Sequence, residues 1–263
     1  MEPAVLPAQQ GWQWVLHGFR LFRAYAALWL LLLFLYWTGL LVLGAIPVVG
    51  TVAALLVMPS IGAGIMVACR AAAARQAPNL RHIFEPLVRN RKGQLTLGLV
   101  YLVGSLLATA IAALVDGGAL LRGPPATADR AQMMREAPAY LRAMATMMAM
   151  LAPTMMALWF APALVHWRGM KPGKALFFSF FACLRNWRPF LVYGLGWMFF
   201  FTVVPMFLVA VLAAMLTVDM RGITLISFIL MPYLFAVMGA VVCSFYATYQ
   251  AVFPEPEPAP PAS

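Results

Sequence analysis

The stretch Tyr25-Ala-Ala-Leu-Trp-Leu-Leu-Leu-Leu-Phe-Leu-Tyr-Trp-Thr-Gly-Leu-Leu-Val-Leu-Gly-Ala-Ile46 runs for 22 residues without a charge. At about 1.5 Å of rise per residue, a helix of that length crosses the roughly 30 Å hydrocarbon core of a bilayer. Lipid offers no hydrogen-bond partner to a peptide group, so such a segment satisfies its own N–H and C=O groups as a helix. Five further apolar runs follow: Val49–Cys69, Leu95–Val115, Met144–Val165, Phe190–Leu216 and Ile223–Tyr246. The chain therefore reads as an all-α integral membrane protein of six transmembrane helices in three hairpins. Pro47 and the glycines of Gly44–Gly50 mark the first hairpin turn.

Composition points the same way. Of the 263 residues, 64% are hydrophobic and 10% are charged, against about 25% charged in soluble domains. The N-terminal stretch does not read as a cleavable signal peptide, since Met1–Gly11 carries no basic residue and further spans follow. Cys69, Cys183 and Cys243 form no CxxC pair and are odd in number, which argues against a disulfide framework.

Charge placement sets the expected orientation. Thirteen basic residues flank one side of the spans: Arg20 and Arg23, the six between Arg70 and Lys92, and the five between Arg168 and Arg188. Five arginines lie on the other side, offset by Asp116, Asp129, Glu136 and Asp219. The basic side should face the cytoplasm, which puts both termini there. Trp12, Trp14, Trp29, Trp167 and Trp187 fall near the same interface, where amphipathic rings settle. The net charge of +10 follows this topological pattern, so no nucleic-acid partner is expected.

Three places look alike: Leu21-Phe-Arg23-Ala-Tyr, Leu87-Val-Arg89-Asn-Arg and Cys183-Leu-Arg185-Asn-Trp. Each follows an amphipathic stretch and precedes a span. The first stretch groups Trp12, Val15, Leu16, Phe19 and Phe22 opposite Gln13, His17 and Arg20; the second groups Leu80, Ile83, Phe84, Leu87 and Val88. The third, around Leu176–Leu184, is more uniformly apolar. Such stretches suit short cytoplasmic interfacial helices, apolar face toward the acyl chains and basic face toward anionic headgroups. The return spans each carry an interior proline, Pro59, Pro153 and Pro232, where a helix loses one hydrogen bond and kinks.

These features describe one unit repeated three times, over about 11–70, 79–168 and 174–250, within a single membrane domain of residues 1–250. The second copy carries an external insertion, roughly Gly117–Arg142. Residues 251–263 read as a disordered, proline-rich cytoplasmic tail.

On Gly11-Trp-Gln-Trp14, Gly18-Phe-Arg-Leu-Phe-Arg23 and Asn90-Arg-Lys-Gly-Gln-Leu95, the chain resembles a family of uncharacterised bacterial six-span inner-membrane proteins. The resemblance spans Val5 to about Phe253. It implies the bacterial inner membrane and brings no activity, cofactor or catalytic residue.

No carboxylate lies near the centre of a span, which argues against an ion-coupled pump. His17, His82 and His166 lie in no metal-binding spacing, and no serine-nucleophile motif, phosphate loop or acid pair stands out. Eight methionines between Met133 and Met156 bring Cu(I) to mind, but most run into span four, where methionine fills gaps. No cofactor, metal site or catalytic residue is expected. The leading reading is a non-enzymatic membrane organiser or accessory protein. Arg20, Arg23, Arg89, Arg91, Lys92, Arg185 and Arg188 would contact anionic lipid or a protein partner. The alternative is a carrier for a small neutral or hydrophobic solute, with Pro59, Pro153 and Pro232 lining a cavity.

Overall fold

A computed structural model describes residues 2–118, 121, 130–215 and 220–254. Helices dominate, and no strand occurs among the described residues. In chain order they are α1 (Gln10–Ala24), α2 (Ala26–Gly44), α3 (Val49–Ala73), α4 (Leu80–Arg89), α5 (Arg91–Asp116), α6 (Arg130–Trp159), α7 (Ala161–Arg168), α8 (Pro172–Arg185), α9 (Trp187–Met198), a π-helical segment Phe199–Val203, α10 (Val204–Met215) and α11 (Met220–Val252). Six stretches are long and apolar enough to cross a membrane: Ala26–Gly44, Val49–Ala73, Arg91–Asp116, Ala137–Arg168, Trp187–Ala214 and Thr224–Val252. Each contains or closely matches a run read from the sequence.

Two observations concern element ends. α6 is helical from Arg130 onward, within the external insertion expected at Gly117–Arg142; residues 119–120 and 122–129 lie outside the described set. Residues 251–253, expected to lie in the tail, belong to the folded part. α11 continues to Val252, and Val252 and Phe253 are buried, with the Val252 carbonyl accepting the Ala4 N–H at 2.9 Å. Two apolar side chains with somewhere to pack extend the fold past the last span residue; residues 255–263 are outside the described set.

The chain divides into two compact units, Met1–Val42 with Ile61–Val88 and Ala182–Ser263, and Leu43–Ser60 with Arg89–Phe181. In the first, α1 lies along α9 and α11. A β-carbon at Gly11 would overlap the Pro189 carbonyl, and one at Gly18 the Ala240 carbonyl, so the helix backbones touch. Trp14 packs on Phe190 and Tyr193 at ring separations of 5.2 and 5.8 Å, and Phe19 on Trp197 and Phe200. The buried stripe is Gly11, Trp14, Val15, Gly18, Leu21 and Phe22. This differs from the face expected from hydrophobicity: Trp12 stays 40% exposed and Leu16 and Phe19 are half-buried. Close backbone approach at the two glycines rotates the contact toward residues with no hydrophobic signal. In the same unit α4 meets α3, where Gly64 leaves room for the Ile83 backbone.

In the second unit α5 runs against α6, with Gly104 seated on Thr154, and Gly98 makes space for the Leu56 backbone of α3. Span four is interrupted between α6 and α7. The Phe160 N–H donates at 2.9 Å to the Ser179 hydroxyl of α8, which donates at 2.8 Å to the Met156 carbonyl. Those two backbone groups are the i and i−4 partners of an ordinary helical bond, so Ser179 is inserted into the ladder. Pro162, two residues on, cannot donate and its ring crowds the Leu158 carbonyl, which opens the helix at that point. Replacing Ser179 by alanine removes both hydrogen bonds. The S179A variant is expected to lose about 1–3 kcal/mol of stability, read as a lower thermal midpoint in detergent.

Candidate functional site

Three times a short helix ends at one non-helical residue and a spanning helix begins at the next. The break residues are Tyr25 (φ −143°, ψ 42°), Asn90 (φ −135°, ψ 48°) and Asn186 (φ −105°, ψ 27°). Each break carbonyl accepts the N–H of the residue four positions later: Trp29 at 3.0 Å, Gln94 at 3.0 Å and Phe190 at 3.1 Å. Seven positions before each break stand Gly18, Ile83 and Ser179, the residues at which α1, α4 and α8 touch α11, α3 and α6. Each short helix thus rests on a return span: α4 on that of the first hairpin, α8 on that of the second, α1 on that of the third. By the breaks, Arg23 lies one position out of step with Arg89 and Arg185.

The two break asparagines do not cap their own spanning helices. The Asn186 Nδ2 donates to the Ala4 and Ala182 carbonyls, both at 2.9 Å, and its Oδ1 accepts the Leu6 N–H at 2.9 Å. This fully buried carboxamide ties the segment leading into α1 onto the third junction. Asn90 acts likewise, donating at 3.2 Å to the Val165 carbonyl near the end of α7, seven residues before α8 begins at Pro172. One turn inside α5, the buried Gln94 donates to the Pro162 carbonyl at 2.9 Å and accepts from Ser60 at 3.4 Å. Both asparagines stand in visible Arg-Asn pairs; Gln94 lies in the Asn90–Leu95 motif without a role read for it, and no pattern in the sequence singled out Ser179.

All seven basic residues expected to meet lipid or a partner are exposed: Arg20, Arg23, Arg89, Arg91, Lys92, Arg185 and Arg188. Arg23, Arg89 and Arg185 sit in the last turns of α1, α4 and α8, where cations complement the helix dipole. Arg91, Lys92 and Arg188 sit in the first turns of α5 and α9, where they oppose it. The Arg188 guanidinium lies over the exposed Trp187 ring at 5.5 Å.

The remaining candidates are spread out. His17 is half-buried in α1, and burial, with Arg20 second, holds its pKa below the ordinary 6.5, so the ring stays neutral near pH 7. Burial pushes the Cys183 thiol up to about 12, which suits a packing residue. Cys69 and Cys243 are both fully buried and share a side-chain hydrogen bond between α3 and α11. Among the described residues no three of His, Cys, Asp and Glu gather as a metal site would need. Pro59, Pro153 and Pro232 lie inside continuous helices. The interruptions fall instead at Phe160 and at the π-helical segment ahead of Pro205, where Tyr233 donates to the Phe200 carbonyl at 2.7 Å.

Over 277 aligned positions the chain is 33% identical to a protein of Burkholderia thailandensis named a probable inner membrane protein, covering 99% of this chain and 97% of that one. The chain belongs to that family of multi-pass inner-membrane proteins. No family profile and no solved structure matches it.

The Asn186 clamp carries its own test. Asn186→Ala removes three hydrogen bonds at a buried junction and should cost about 1–3 kcal/mol. Limited proteolysis should then cut the segment before α1, which the parent protein protects.

Proposed function

We propose that this inner-membrane protein is a non-enzymatic organiser that grips anionic phospholipid at its cytoplasmic face, through three copies of one junction. The observation that carries the reading is the chemistry at the breaks. Exposed arginines and lysine flank spanning helices whose first turns have no side-chain cap at Asn90 or Asn186. First-turn N–H groups and nearby cations together favour an anion, and a lipid phosphate is the anion a membrane presents there.

The shared geometry at the break, four positions after it and seven before it supports an internal triplication, with α1, α4 and α8 as corresponding helices. Exposed apolar stripes on α4 and α8 support the placement of these two helices in the headgroup region. Leu80, Phe84 and Val88 of α4 are 45%, 48% and 77% exposed, and Phe177, Phe181 and Leu184 of α8 are also exposed. On this reading those stripes face the acyl boundary and the Trp187–Arg188 pair anchors at its edge. The charge asymmetry supports a cytoplasmic position for both termini. A protein partner on the same basic surface is compatible with this role. A solute-carrier role, the other reading of the sequence, has only the three intrahelical prolines behind it.

Native mass spectrometry of the full-length protein with added phosphatidylglycerol tests the lipid reading. Substituting Arg89, Arg91 and Lys92 together by glutamine should weaken retention about fivefold per residue, following roughly 1 kcal/mol for each basic residue at an anionic surface. Helix content should be unchanged, and undiminished retention would overturn the reading. Orientation is checked separately. A reporter active only in the cytoplasm should be inactive when fused at Gly123 and active after Ser263.

A further inference from the structure

The three junctions are not chemically equal. At Asn90 and Asn186 a carboxamide pulls the segment that leads into the next short helix onto the junction. At the first junction the break residue is Tyr25, which brings no carboxamide. There a crevice of about 510 Å³ lies between α2 and the start of α4. Its wall on the span side includes Leu28, Leu31 and Leu35, which are 36%, 52% and 38% exposed. On the other side stand Pro78, Asn79 and Arg81. Asn79 and His82 exchange hydrogen bonds at 3.3 Å, fixing the first turn of α4 at the rim, and Arg81 is exposed beside it.

We infer that this crevice holds one acyl chain of an anionic glycerophospholipid, with its phosphate at Arg81. The volume lies within the roughly 300–1,000 Å³ of ligand-holding clefts. The lining changes from leucine along a membrane span to asparagine and arginine at the start of α4, the order in which a lipid presents chain and headgroup. The first junction thereby differs in kind from the other two. It holds a lipid where they hold their own chain. The inference rests on the lipid-binding reading above and narrows it to one site.

The test counts phosphatidylglycerol molecules held by the detergent-purified full-length protein in native mass spectrometry. Leu31→Trp fills the crevice, and Tyr25→Asn supplies the missing carboxamide. Each is expected to remove one tightly held phosphatidylglycerol, with helix content unchanged. Arg81→Gln should weaken the same lipid about fivefold. The combined Arg89, Arg91 and Lys92 substitution should leave this lipid in place while releasing others. If both crevice variants keep the parent's lipid count while the Arg89, Arg91 and Lys92 variant loses lipid, the crevice assignment is wrong and the broader reading stands. If the parent protein holds no phosphatidylglycerol, both fail. Equal retention of zwitterionic phosphatidylethanolamine would also overturn the assignment, as would loss of a dimer in Leu31→Trp, which would make a second copy the occupant.

Discussion

In hydrocarbon a peptide group has no solvent to turn to, and each interruption of a helix needs a substitute partner. The irregular points of this chain answer to that constraint. Where Pro162 opens span four, the Ser179 hydroxyl bridges the Phe160 N–H and the Met156 carbonyl. At the π-helical segment in span five, the Tyr233 hydroxyl serves the Phe200 carbonyl. The three outright breaks, at Tyr25, Asn90 and Asn186, fall at the starts of spans rather than inside them. At that level water and headgroups can serve the backbone groups a break leaves open.

The same constraint explains the short helices. A chain that breaks at the start of a span must hold the preceding helix in place without the helical ladder. It does so by backbone contact at small residues and by carboxamide clamps. Gly18, Gly64 and Ser179 let α1, α4 and α8 lie against the return spans of the third, first and second hairpins. The order is cyclic along the sequence, which is the order expected when one unit is copied and each copy keeps its contact with the one before it.

The spans were legible because length and apolarity alone decide them. The breaks were nearly so, since Arg89-Asn90 and Arg185-Asn186 stand out at the ends of amphipathic stretches. The face of α1 was not, because Gly11 and Gly18 carry no hydrophobic signal, yet the tightest contacts form there. The repair of span four was hidden for a related reason. Ser179 and Phe160 are 19 residues apart, and nothing local marks a serine as a backbone partner for another helix. The contact of Cys69 with Cys243 is likewise a matter of packing between distant helices, invisible to spacing rules. The three arginine stretches were visible in the sequence, but the backbone register was not, since Arg23 sits one position further from its break than Arg89 and Arg185.

The functional account depends on the three breaks sharing one level in the membrane, the cytoplasmic headgroup layer, where basic side chains and uncapped first turns meet phosphate. Spin labels two residues before each break, at Arg23, Val88 and Leu184 in turn, allow a direct measurement of depth by power saturation in phosphatidylglycerol-containing bilayers. The account predicts headgroup depth for all three labels, reached by a water-soluble relaxation agent from the cytoplasmic side alone. A label in the acyl core, or one reached from the opposite side, would contradict it.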